Sequence, residues 1–196
     1  KTIEIVKSRD INKVKLYDFK WCDDFSAARN FANSKATSAW IYSLDADEIV
    51  EQIDRSQLWP VTVYGYETRN YSNQCNWKGW KANKGESEYE EGIGWFPSLK
   101  IRLFPNDKRF FWSYPVHEVI EPSAYDLGVE RRISPDPVHH IGKIDLQWDL
   151  EKGQKYYQYL QKRVADKPDD TRHLEALATQ AQNMGKFEEA LELWEK

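Results

Sequence analysis

The sequence predicts an α/β fold that runs into an α-helical tail, and three observations carry that expectation. Apolar residues recur at helical spacing from Phe25, a short apolar run at residues 40–44 ends on acids, and from residue 146 the apolar period is helical throughout. At 196 residues the chain holds one substantial domain and a small appendage. Hydrophobic residues make up 40% and aromatics 14%, enough for a packed core. The net charge is −4, with lysines and arginines interspersed among acids, so no basic groove for nucleic acid is expected. Cys22 and Cys75 have neither zinc spacing nor a disulfide framework, which suits reduced thiols in a cytoplasmic protein. No apolar run approaches the ~20 residues of a membrane span, and the first residues do not read as a signal peptide.

Residues 1–9 read as a helix, with Ile3 and Val6 on one side, and Val14, Leu16 and Tyr17 as a short strand. Asp23 or Asp24 caps the next helix, because an aspartate accepts the orphan N–H groups of a first turn. Phe25, Ala28, Ala32 and Ala36 follow at helical spacing. Trp40, Ile41, Tyr42 and Leu44 then read as a strand buried in a parallel sheet. It ends at Asp45, Asp47 and Glu48, and ligands of open α/β sheets collect outside the carboxyl ends of strands. Three carboxylates so close repel one another unless a cation or a hydrogen-bonding ligand joins them. A hard divalent ion suits them, since Mg²⁺ takes one or two carboxylates and fills its shell with water and phosphate oxygens. Standing alone, the same tripeptide also reads as a solvated acidic loop.

Residues 50–59 read as a short helix or turn stopped by Pro60, and residues 61–72 as a strand in which either face could be buried. From Tyr71 to Trp95 aromatics sit among polar residues without a period, so a long loop is expected. Indole faces beside polar groups suit sugar rings, and a loop stapled to the core by its tryptophans is the alternative. Residues 99–104 read as a strand, Pro105-Asn106-Asp107 as a turn and residues 109–112 as a return strand leading to Tyr114-Pro115-Val116-His117-Glu118. Residues 122–137 read as irregular. His139 and His140 lie on one strand, so they point to opposite faces and at most one meets a site. Residues 148–164 form a helix ended by Pro168, and residues 171–184 and 186–194 form a helix pair broken at Gly185.

The string from Asp23 to Glu48 resembles the central signature of family 2 glycosyltransferases, through Asp24, Phe25, Ala28, Arg29, Asn30, Trp40, Leu44, Asp45, Asp47 and Glu48. The Ile101–Phe104 strand, its turn and the Pro115–Glu118 segment resemble a branch of that family. His139-His140-Ile141-Gly142-Lys143 resembles the element that returns a late histidine to the metal. The stretch from Leu177 to Lys196 resembles a tetratricopeptide helix pair, and a solenoid repeat cannot bury its face alone. The resemblance implies a partial nucleotide-sugar-transferase (Rossmann-like) mixed sheet with flanking helices over residues 1–145, without the usual first strands, and a tetratricopeptide-like tail over residues 146–196.

The implied reaction moves a sugar from a nucleoside diphosphate sugar to a hydroxyl of a saccharide, lipid-linked or protein acceptor, with inversion. By this resemblance Asp47 coordinates Mn²⁺ or Mg²⁺, and Asp45 contacts the ribose or the metal. Arg29 and Asn30 support the diphosphate, with an internal salt bridge from Arg29 to Asp45 or Asp24 as the alternative. Glu48 belongs to the same donor-side loop, and Trp77, Trp80 and Trp95 meet sugar rings. Glu118 is the general base, with His117 beside it, and needs a pKa shifted toward working pH. A histidine ligand, His139 ahead of His140, favours manganese. Two rival readings are a non-catalytic scaffold that recruits a protein partner through the helical tail, and a metal-dependent hydrolase using Asp45, Asp47, His117 and His139. The hydrolase ligands lack a compact spacing.

Overall fold

The computed structural model describes residues 2–8, 14–51, 53, 58–59, 61–144 and 146–196. The chain is a mixed α/β structure. In order it runs α1 (Thr2–Lys7), α2 (Phe25–Asn33), β1 (Trp40–Tyr42), β2 (Glu48–Val50), β3 (Thr62–Ser72), β4 (Lys81–Ala82), β5 (Gly94–Pro105), α3 (Glu121–Asp126), β6 (Glu130–Ile133) and β7 (Val138–His140). Three helices close the chain, α4 (Leu146–Asp166), α5 (Thr171–Asn183) and α6 (Phe187–Trp194).

The sheet is built on β3. One side of β3 pairs antiparallel with β5; the other pairs in parallel with β6 over Thr62–Gly65 and then with β7 over Thr68–Asn70. β1 adds antiparallel to β5, and β2 antiparallel to β7, giving the order β1-β5-β3-β7-β2. Both faces of β3 are buried. Val63 packs with Ile101, Phe104, Phe110, Trp112 and Ile120, whereas Tyr64 and Tyr66 pack on the other face with Leu103 and Val138. The alternation follows from the two-residue period of a strand.

Several sequence expectations are corrected. β1 is not a strand of a parallel sheet: among the described residues it pairs with β5 alone, antiparallel, at the sheet edge. Residues 14–17 form no strand: among the described residues no strand takes their backbone groups, and Val14, Leu16 and Tyr17 stay exposed. Residues 48–50 form a strand drawn onto β7, so Val50, expected to open a helix or turn, ends a strand instead. Residues 109–112 form no return strand; a single bridge, Ser113 to Val119, is all that pairs there. Tyr114 and His117 adopt left-handed backbone conformations, φ +74° and +54°, so Pro115–Glu118 is a tight loop. The stretch 122–137 holds most of α3 and all of β6, with Pro122 in the first turn of the helix, where its missing N–H costs nothing. The expected stop at Pro60 and the end of the first helix at Arg9 lie outside the described residues.

The helical segment buries its own core. Tyr157, Leu160, Leu174, Leu177 and Leu193 meet over Ala178, Ala181 and Ala190, and fully burying each leucine contributes about 1.5–3 kcal/mol. Val116 of the Pro115–Glu118 loop belongs to the same cluster. Arg163 donates to the Asp23 carbonyl at 3.0 Å, and the Arg172 guanidinium lies 3.8 Å from the Tyr114 ring centre. The helices are thereby docked on the loop that carries Glu118.

Candidate functional site

Asp24 caps α2, its carboxylate accepting from the Ala27 N–H at 2.9 Å and from the Ser26 hydroxyl. The cap fixes where α2 starts, and the first N–H, that of Phe25, donates to the Pro115 carbonyl at 2.9 Å. One turn on, Arg29 projects between the end of β1 and the Glu118 loop. Its Nε donates to Glu118 Oε1 at 2.6 Å, its Nη2 to Asp45 Oδ1 at 2.7 Å and its Nη1 to the Ser43 hydroxyl at 3.1 Å. Arg29 is thus in an internal bridge, to Asp45 and not to Asp24, and it holds both carboxylates. Burial works against the Asp45 charge, yet Arg29, with Arg102 behind it, keeps that carboxyl below its ordinary range.

Behind this bridge Arg102, which is 1% exposed, pairs with the Glu48 carboxylate. The second oxygen of Glu48 accepts from the Asp45 N–H at 2.9 Å. Glu48 is therefore a buried fastener of the acidic turn, with both carboxylate oxygens on internal partners. The Asn30 amide exchanges two hydrogen bonds with the Trp112 backbone, at 2.8 and 2.9 Å.

The pairing of β2 with β7 brings the other acid to a histidine. Asp47 Oδ2 lies 3.3 Å from His140 Nε2, and this contact holds the Asp47 carboxyl down to about 2. His140 Nδ1 faces Asn70 Oδ1 at 2.8 Å. The Asn70 amide is oriented by its NH₂, which donates to the Thr68 and Phe96 carbonyls, so Oδ1 can only accept and His140 Nδ1 donates. With both nitrogens protonated the ring donates to Asp47 as well as to Asn70; with the proton on Nδ1 alone it turns a lone pair toward the Asp47 side, the arrangement of a metal-ligating histidine. Gly142 closes this corner: a Cβ there would stand 2.1 Å from Asp47 Oδ2 and 2.7 Å from His140 Nε2.

Those two side chains fit a divalent ion as a partial ligand set. Among the described residues no group of three or more His, Cys, Asp or Glu comes together, so such an ion would fill its shell from water and phosphate oxygens. His139, preferred from the sequence, points the other way. It is fully buried, with Nδ1 at 2.8 Å from the Tyr71 hydroxyl and Nε2 at 3.0 Å from Glu51. The opposite faces of a strand separate the two histidines, and with them the ligand set imagined for a hydrolase.

The three tryptophans pack as staples on the core, the alternative read from the sequence. Trp77 stacks on Phe96 with centroids 4.5 Å apart, Trp80 packs against Gly94 so closely that a Cβ would lie 2.4 Å from the indole, and Trp95 is buried beneath Arg69 and Lys81. They fasten the loop between β3 and β5 to β5 by burying apolar area.

Sequence reasoning missed Arg102 and Asn70, whose roles depend on sheet register, and Tyr156 of α4. The Tyr156 ring lies edge-on to His117, with centroids 5.7 Å apart, and to Phe25 at 5.5 Å. Burial, then the Glu118 and Asp45 carboxylates, push its phenol up to about 12, so it keeps its proton and remains a donor beside the acids. Glu118 Oε2 has no hydrogen-bond partner among the described residues.

No family profile matches the chain. The chain is 32% identical over 173 residues to a TPR repeat-containing protein of Synechococcus elongatus, an alignment that takes in 80% of this chain and 37% of that protein. Over 57 residues it is 39% identical to the SPbeta prophage-derived glycosyltransferase SunS of Bacillus subtilis, and equally to glycosyltransferase SunS of Bacillus phage SPbeta. That shorter alignment takes in 29% of this chain and 13% of each SunS protein. The chain thus spans little more than a third of the first relative and about an eighth of the others.

Proposed function

We propose that this chain is part of a glycosyltransferase of the family 2 kind, moving a sugar from a nucleoside diphosphate sugar to an acceptor hydroxyl with inversion. The observation that carries the proposal is the Arg29 bridge, which sets Asp45 of the acidic turn and Glu118 of a separate loop on one guanidinium. The partial similarity to SunS supports it. In this reading the acceptor hydroxyl attacks the anomeric carbon of the donor sugar. Its proton passes to Glu118 through the oxygen that Arg29 leaves open, and the bond to the diphosphate breaks with its electron pair leaving on the phosphate oxygen. Asp47 and His140 would hold Mn²⁺ or Mg²⁺, which when bound supplies charge neutralisation for the leaving diphosphate. Arg29 fixes the distance between donor and base sides, and the Tyr156 hydroxyl offers a hydrogen bond between them.

A second reading is favoured by the longer alignment: the helices α4–α6 bind a protein partner, as similarity to a TPR repeat-containing protein suggests, and the sheet is a scaffold. Release of nucleoside diphosphate from UDP-, GDP- and dTDP-sugars separates the two. The transferase reading expects release with one donor class and at least a hundredfold loss in Glu118→Gln, of the order general-base catalysis contributes. Equal release by wild type and Glu118→Gln, or none by the folded chain, favours the scaffold.

A further inference from the structure

A cavity of about 280 Å³ lies between the loop before Glu118 and the junction of α4 with α5. Tyr114 and Pro115 line it from the loop; Arg163, Asp166, Lys167, Asp170 and His173 line it from the helices. His173 is 6% exposed. Asp170 Oδ2 lies 3.2 Å from its Nδ1, off the direction of a hydrogen bond. Both buried ring nitrogens are left without a partner, one donor and one acceptor in the neutral ring, and a buried polar atom without a partner costs about 1–3 kcal/mol unless something occupies the space beside it. Two cations and two carboxylates among the lining residues leave it without net charge. Neither Asp166 nor Lys167 has an ion-pair partner among the described residues.

This chemistry selects the ligand. Balanced charge disfavours a phosphate or a metal ion, while carboxylates, cations and an acceptor nitrogen within one small space suit groups that both donate and accept, which hydroxyls do. A tyrosine and a proline ring suit the C–H surface between hydroxyls. The volume falls just below the usual range for small-molecule sites, about 300–1,000 Å³, which fits one sugar ring. We infer that this cavity is a saccharide subsite that takes one neutral monosaccharide unit, held by His173, Asp166 and Lys167. That the unit belongs to the acceptor rests on the transferase reading, since Tyr114 and Pro115 lead directly to His117 and Glu118; that the cavity binds a sugar does not.

The test is saturation-transfer NMR of the chain with glucose, galactose, mannose and N-acetylglucosamine in turn, without nucleotide or metal. Transfer to one of these sugars is expected. It should fall at least threefold in an Asp166→Ala/Lys167→Ala variant, whose changes lie on the exposed rim and leave far-UV circular dichroism unaltered, and in His173→Phe, which keeps a ring and removes the acceptor. No transfer to any of the four sugars, transfer unchanged in the folded rim variant, or displacement of the sugar by UDP, GDP or dTDP would overturn the subsite. Sugar binding by a chain that binds no nucleotide with Mn²⁺ leaves the subsite standing and defeats the transferase reading. Nucleotide binding without sugar binding does the reverse.

Discussion

Arg29 and Glu118 are 89 positions apart in the chain and 2.6 Å apart in the fold. The same guanidinium reaches Asp45 at 2.7 Å, so a helix, the end of a strand and a loop converge on one side chain. A guanidinium presents several donors in a rigid fork, and a lysine in its place could not reach both carboxylates in that geometry.

Double-mutant cycles on this bridge give the first prediction. Glu118 is 15% exposed at its side chain and Asp45 37%, so solvent screens the Asp45 arm more. The coupling of Arg29→Met with Glu118→Gln should fall at about 1–3 kcal/mol, and that with Asp45→Asn below it. Urea unfolding of the four variants of each cycle measures both; a larger coupling on the Asp45 arm contradicts the geometry.

The pH dependence follows from Asp47. Its folded pKa of about 2 lies below the unfolded value of ~3.9, so the group contributes stability above pH ~4 and loses it as pH falls toward 2. Two units correspond to about 2.7 kcal/mol before screening, and a side chain 36% exposed retains roughly 1 kcal/mol of that. The stability difference between wild type and Asp47→Asn should therefore shrink between pH 4 and pH 2. A difference that stays constant through that window would show that His140 does not hold the carboxylate.

Several of these residues were legible in the sequence, and the reason is locality. The Asp24 cap needs only the three residues after it, and the strand of residues 62–72 is written in its own alternation. That His139 and His140 face opposite ways follows from the period of a strand; which of them meets Asp47 depends on the register with β2 and could not be read. The strand expected at residues 14–17 fails because its ladder needs a neighbour that periodicity cannot supply. Trp77, Trp80 and Trp95 suited either a ligand or the core by residue type, and β5 took them. Tyr156 was legible only as a periodic position of its helix, because its place beside His117 depends on how α4 docks on the loop of Pro115 and Val116.

The Arg102–Glu48 pair should matter for folding more than for chemistry. Both side chains are buried, and removing one partner of a buried pair costs about 3–5 kcal/mol because the other charge is stranded. Arg102→Met should be destabilised by that order, and adding Glu48→Gln should restore part of it. Calorimetric melting of the single and double variants checks this; a double variant no more stable than Arg102→Met refutes the assignment.

Tyr156→Phe keeps the ring against His117 and Phe25 and removes only the hydroxyl. Melting temperature should be unchanged, while nucleotide release from the preferred donor should slow about tenfold, the equivalent of one hydrogen bond of ~1.4 kcal/mol in the transition state. Unaltered release in a normally folded Tyr156→Phe protein would place the hydroxyl outside the reaction.

The most direct measurement of the central claim is calorimetric titration of the chain with UDP, GDP and dTDP, with and without Mn²⁺, repeated on Asp47→Ala and Gly142→Ala. Metal-dependent binding of one nucleotide is predicted, weakened at least tenfold by losing the carboxylate and by the Cβ that would intrude between Asp47 and His140. Nucleotide binding that needs no metal and ignores both substitutions, or no binding by the folded wild-type chain, would contradict it.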